Sequence, residues 1–120
     1  MVRNTIKARF MFSAIFFKNE NGVEPVKAWM LKDLSFDDRK IILEGIATLQ
    51  KGFPNVTLPL VRPMGQGLYE LRCHITGKRI VRILFCHVDK NLIMLHGFVK
   101  KTESTPVKDL KLAKSRKDKL

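Results

Sequence analysis

The most regular alternation of apolar and polar positions runs from Leu68 to Lys101. There, three apolar stretches of strand length are separated by Thr76-Gly77-Lys78 and by Asp89-Lys90-Asn91. That spacing predicts a three-stranded antiparallel meander. With a three-residue loop at each connection, Ile75 pairs with Arg79 and Val88 with Leu92, and the period of two then sorts the side chains. One face takes Tyr69, Leu71, Cys73, Ile75, Val81, Ile83, Phe85, Ile93, Leu95 and Val99, and is expected to be core. The other takes Glu70, Arg72, His74, Ile80, Arg82, Leu84, Met94, His96, Phe98 and Lys100, with Arg72 directly opposite Arg82.

Upstream, the basic and apolar residues of MVRNTIKARFMFSAIFF alternate, which predicts an edge or near-edge strand rather than a leader peptide. Asn21-Gly22 marks a turn, and Glu24-Pro25 opens a helix on which Val26, Trp29, Met30 and Leu34 recur at helical spacing, with Trp29 as a core anchor. Ser35-x-x-Asp38 resembles a capping box and starts a second helix, with Ile42, Ile46 and Leu49 on one face and Gly52 as its stop. This helical hairpin suits the apolar face of the sheet. Residues 53–67, with three of the five prolines, read as a rigid irregular loop. Near the C-terminus Thr105 is expected as an N-cap and Pro106 as the first helical residue, with Val107, Leu110 and Ala113 docking the helix. The expected order is β–α–α–β–β–β–α, an α+β fold in which an antiparallel sheet is covered on one face by a helical hairpin and followed by a C-terminal helix.

At 120 residues the chain is expected to form one domain, residues 1–120, and it has no apolar run long enough to span a membrane. Charge changes the picture: 23 Lys and Arg against 11 Asp and Glu leave a net +12, which points to a polyanionic partner. Cys73 and Cys86 fall on opposite faces in this register and are expected to stay unbridged, which fits a reducing cytoplasm. The three histidines are scattered and no Gly-rich phosphate loop follows a strand, so neither a metal nor a nucleotide cofactor is expected.

The opposed arginines carry the functional signal. Like charges directly opposite cost a sheet up to about 1 kcal/mol, whereas planar guanidinium forks match phosphate oxygens. A bland account remains, in which Glu70, diagonal to Arg82, and water neutralise the pair. Arg72, Arg82, Lys100 and Lys101, with His96 nearby, would suit RNA cleavage by stabilising the phosphorane formed when a 2′-hydroxyl attacks its neighbouring phosphate. Glu70 or His96 is the candidate base, and Arg62, His74 and Phe98 are candidate RNA contacts around them.

These residues also carry a resemblance. Gly67-Leu68-Tyr69-Glu70-Leu71-Arg72, Arg82-x-x-Phe85, Leu95-His96-Gly97-Phe98-Val99-Lys100-Lys101-Thr102, Thr105-Pro106 and Leu112-Ala113-Lys114 together resemble the RelE/ParE superfamily of type II toxins, closest to its HigB-like, phage-derived branch. The resemblance implies a RelE-like fold and a ribosome-dependent endoribonuclease that cuts messenger RNA in the A site, held inactive in the cytoplasm by a HigA-like helix-turn-helix antitoxin. By position it assigns cleavage to Arg72, Arg82 and Lys101, with Lys100 beside the last. It departs from RelE at Glu70, where RelE has a lysine, and in lacking the tyrosine that RelE carries near its C-terminus. Two other readings stay open: a ParE-like inhibitor of DNA gyrase without nuclease activity, and a non-catalytic nucleic-acid-binding module.

Overall fold

The computed structural model describes residues 12–100 and 104–120, so most of the expected N-terminal strand lies outside the described residues. What is described of it, β1 (Ser13–Phe16), is the outermost strand on its side of the sheet among the described residues. It is followed by α1 (Pro25–Asp33), α2 (Phe36–Gly52), β2 (Val61–Gly65), β3 (Leu68–Ile75), β4 (Arg79–Val88), β5 (Asn91–Lys100) and α3 (Val107–Lys117). The strands form one sheet in the order β1-β5-β4-β3-β2. The α+β class, the helical hairpin, the meander and the C-terminal helix are all present.

Two details of the sheet differ from expectation. β1 pairs with β5 in parallel, so the sheet is mixed rather than wholly antiparallel. The Pro-rich stretch after α2 is not loop throughout: Val61–Gly65 forms the outer strand β2, paired antiparallel with β3 through Val61 and Leu71 and through Arg62 and Glu70. Pro63 lacks an N–H and Gly65 sits at a register shift, features that an edge strand tolerates and that hide a strand from sequence reading.

The β3–β4 register is as expected, from Ile75 opposite Arg79 to Arg72 opposite Arg82. The β4–β5 register is not. Its turn has two residues, with Val88 opposite Asn91, and an irregularity then places Leu84 opposite His96 but Phe85 opposite Met94, so Leu95 is an extra residue. Leu92 and Met94 therefore join the core under the helical hairpin, whereas Ile93 and Leu95 pack on the other face. The expected faces of Ile93, Leu95 and Met94 are thus reversed. Beyond the bulge the shorter turn and the extra residue cancel, and Phe98 and Lys100 stand opposite Arg82 and Ile80 as expected.

The helical hairpin covers the first face, burying Val26, Met30, Ile42, Leu49, Leu71, Ile83 and Phe85 among others. Ser35 caps α2 by accepting from the Asp38 N–H at 3.1 Å. The Asp38 carboxylate does not close the box. It accepts from the Thr76 backbone N–H at 3.2 Å and from Arg79 Nη2 at 2.9 Å, tying α2 to the β3–β4 turn. Trp29 lies on β5 at Gly97, where an added Cβ would come within 2.6 Å of its ring.

The second face is not open. α3 packs on it, with Ala113 fully buried against Phe17, Leu68, Leu84, Cys86, Ile93 and Leu95, and Leu110 beside them. Val107 does not dock; it is 65% exposed. Cys73 and Cys86 are free, buried, and in different core clusters on the two sides of the sheet. Among the described residues no helix is long and apolar enough to cross a membrane.

Candidate functional site

The pairing of β2 with β3 and of β3 with β4 brings Arg62, Arg72 and Arg82 around one carboxylate. Arg62 is opposite Glu70, Arg72 follows Glu70 by two residues on the same face, and Arg82 is opposite Arg72. Glu70 Oε1 lies 3.6 Å from Arg62 Nη2, 3.7 Å from Arg72 Nε and 3.6 Å from Arg82 Nη1. Its other oxygen, Oε2, accepts a short hydrogen bond from the Thr105 hydroxyl, and Arg82 Nη1 donates to that hydroxyl at 3.5 Å. Among the described residues, three guanidinium groups thus gather around this one carboxylate. A carboxylate offers only lone pairs, so Glu70 meets its neighbours as an acceptor throughout.

Burial grades across this cluster. Glu70 and Arg82 are fully buried, the Arg72 side chain is 10% exposed and that of Arg62 33%. The expectation that Arg82 stands on an open sheet face is therefore overturned: the segment carrying Thr105 crosses over it on the way to α3. Thr105 itself is not the N-cap of that helix; Pro106 is, and the hydroxyl turns inward to Glu70 instead. Glu70 is likewise enclosed, so its charge is directed at arginines rather than at solvent.

Toward the end of the sheet where β5 finishes, the same face opens. His74 is exposed opposite Ile80, and Phe98 and Lys100 are half-buried opposite Arg82 and Ile80. Arg72 thus sits between the buried ion-pair cluster and exposed His74, with half-buried Phe98 and Lys100 farther across the same face. Lys101 lies outside the described residues.

His96 is placed differently from the rest. Its ring stacks on Phe98 at 5.6 Å between centroids, and its Nε2 lies 2.6 Å from Asp109 Oδ1 in the first turn of α3. Both side chains are largely buried. Facing a carboxylate, Nε2 is the nitrogen that carries hydrogen, which leaves the Nδ1 lone pair free when the ring is neutral. Asp109 and Thr105 are the two residues of this region that sequence reading missed as site partners. The available signal was an acid in the first turn of a helix expected after β5, but nothing in the spacing said that the segment leading to α3 would fold back over the arginines.

Among the described residues, no three His, Cys, Asp or Glu side chains gather as a metal site. His87 packs with Phe53 and Tyr69, on the side of the sheet away from His74 and His96, at 5.4 Å and 6.5 Å between ring centroids. Burial pushes the Cys73 thiol up to about 11 and raises that of Cys86 as well, despite the opposing charge of Lys117. Neither thiol is a nucleophile at neutral pH.

In chemical terms, the arrangement holds one guanidinium, Arg72, at the edge of a buried lattice and beside the exposed His74. Such a lattice fixes a cation's orientation before any anion arrives, which is what differential stabilisation of a developing charge requires.

No curated protein matches the chain. A family model of phage-derived Gp49-like proteins (DUF891) matches residues 30–118, a span that includes all of α2, the four strands from β2 to β5 and α3. On that match, which takes in every described residue of the arginine cluster and its surrounding patch, the chain belongs to the phage-derived Gp49-like family, one of the toxin-type families with the RelE-like fold.

Proposed function

We propose that residues 1–120 act as a single HigB-like toxin domain, a ribosome-dependent endoribonuclease that cuts messenger RNA in the A site and needs no metal or other cofactor. The observation that carries this reading is the convergence of Arg62, Arg72 and Arg82 on Glu70 Oε1, a largely buried cluster bordered on the same face by exposed His74 and half-buried Phe98 and Lys100.

In this reading Arg72, Lys100 and Lys101 meet the scissile phosphate, while Arg62, His74 and Phe98 hold the neighbouring nucleotides. Arg82 and Glu70 act one step back, holding Arg72 in place, because both are enclosed. His96 Nδ1 takes the proton of the 2′-hydroxyl as its oxygen attacks phosphorus, and Asp109 holds the ring and stabilises the imidazolium that results. The bond from phosphorus to the 5′-oxygen breaks, and that oxygen takes a proton from Lys100 or Lys101. The products are a 2′,3′-cyclic phosphate and a 5′-hydroxyl. An antitoxin of the HigA-like, helix-turn-helix kind would hold the toxin inactive in the cytoplasm.

The reading is tested by adding purified protein to translating ribosomes and mapping messenger 5′ ends. Cuts in phase with the codons support it. Intact messages together with loss of gyrase supercoiling would replace it with gyrase inhibition, and intact messages alone would leave a binding module.

A further inference from the structure

A cavity of about 190 Å³ lies at the flank of β5, lined by Pro25, Val26, Trp29, His96, Gly97 and Arg116. β1 pairs with β5 only as far as Met94, so from His96 onward that flank carries no neighbouring strand among the described residues. α1 closes it from one face of the sheet, with Trp29 on Gly97, and α3 from the other, with Arg116 Nη1 donating to the Leu95 carbonyl at 2.7 Å. The guanidinium of Arg116 also lies over the Phe17 ring at 5.8 Å. Arg116 is half-buried, and that burial lowers its pKa with no carboxylate opposing it among the described residues. Asp109, the acid of α3, is engaged by His96 instead. A cation partly stripped of water, with donors left over, therefore shares a small cavity with an indole and an imidazole.

We infer that this cavity seats an unstacked guanine of the message next to the scissile phosphate, its O6 and N7 on Arg116 and its ring against Trp29. Three observations favour that occupant. The volume is below the roughly 300–1,000 Å³ of pockets that enclose drug-sized ligands, so it takes one ring system rather than a whole nucleotide. Trp29 and His96 supply rings for a base drawn out of its stack, the usual way in which single-stranded RNA is read. A guanidinium fork matches two acceptors side by side, which guanine offers; adenine pairs one acceptor with a donor, and the pyrimidines lack the arrangement. The placement beside the phosphate rests on the cleavage reading. His96 is opposite Leu84 and Leu84 opposite Glu70, so the cavity lies on one flank of the proton acceptor and the arginine cluster on the other.

Trp29 is the only tryptophan of the chain, so its emission reports on the cavity directly. The test titrates the full chain with GMP, AMP, CMP, UMP and inorganic phosphate, reading Trp29 fluorescence and the Gly97 amide by NMR. GMP should act saturably and at least about tenfold (~1.4 kcal/mol) more tightly than the other three nucleotides. Arg116→Lys, which keeps the charge and a donor for the Leu95 carbonyl, should lose that preference while the remaining amides show an intact fold. Equal binding of all four nucleotides, displacement of GMP by an equal concentration of phosphate, or an undiminished preference in Arg116→Lys would overturn the inference. Codon-phased cutting without a GMP response sinks the guanine site alone. GMP-selective binding by a protein that leaves messages intact keeps the guanine site and sinks the cleavage reading.

Discussion

Arg72 and Arg82 stand directly opposite each other on β3 and β4, and their guanidinium nitrogens lie 3.7 and 3.6 Å from the same oxygen of Glu70. The repulsion expected between opposed like charges is offset by a carboxylate placed one row away and shared between them. Arg82 is fully enclosed and Arg72 nearly so, which divides the pair into an inner member that supports and an outer member that reaches solvent.

That division makes Arg82 a stability residue, contrary to its expected place on the surface. Arg82→Ala leaves Glu70 with one guanidinium fewer and opens a cavity under Thr105. Breaking a buried ion pair costs about 3 kcal/mol or more, so the midpoint of thermal unfolding should fall by roughly 10 °C. Arg72→Ala, at the cluster's edge, should cost less than half as much. Equal melting temperatures for wild type and Arg82→Ala would refute the division.

Glu70 and Thr105 are joined by a hydrogen bond inside that cluster. A double-mutant cycle with Glu70→Gln and Thr105→Val, read by denaturant unfolding, should show a coupling energy of about 1 kcal/mol or more. Additive effects would mean that the crossing segment is held by α3 packing alone.

Asp38 should make stability depend on acid pH. Burial pushes its pKa up, but hydrogen bonds from the Thr76 backbone and the Ser35 and Thr76 side chains, with the charge of Arg79, outweigh it and hold the carboxyl below its usual 3.8. A depressed folded-state pKa contributes stability that is complete above the unfolded value and is lost as pH falls through the folded one. Asp38→Asn should therefore destabilise the protein at neutral pH, and the difference from wild type should shrink steadily below pH 3.8. A difference constant with pH would show that the carboxyl of Asp38 is not held below its usual value in the folded protein.

Gly97 should not accept a side chain. A Cβ there meets the Trp29 ring at 2.6 and 2.9 Å, so Gly97→Ala must push the indole off β5 and should cost about 1–3 kcal/mol, measured by chemical denaturation. The double variant Gly97→Ala/Trp29→Leu should recover part of the loss.

The legible parts of the molecule were those set by local chemistry. Gly77 takes the positive φ that the β3–β4 turn needs, and with it came the Arg72–Arg82 pairing. The faces of His96, Phe98 and Lys100 were also right, through two compensating errors, because the two-residue turn at Asp89-Lys90 and the extra Leu95 cancel. Long-range features were hidden. β2 was obscured by Pro63 and Gly65, which read as loop, and its pairing is what puts Arg62 on Glu70. The return of residues 104–106 over Arg82 is a tertiary event with no periodic signature, and so the burial of the inner arginine, the inward turn of Thr105 and the pairing of Asp109 with His96 were not visible.

The central claim, that a supported guanidinium at Arg72 serves cleavage of a ribosome-bound message, is tested most directly by single-turnover cleavage on programmed ribosomes. Wild type and Arg72→Ala should be compared at matched folded fraction. The account predicts codon-phased cutting by the wild type and a loss of at least about 100-fold, near 2.7 kcal/mol of transition-state stabilisation, in the variant. An uncut message with the wild type, or an unchanged rate in Arg72→Ala, would contradict it.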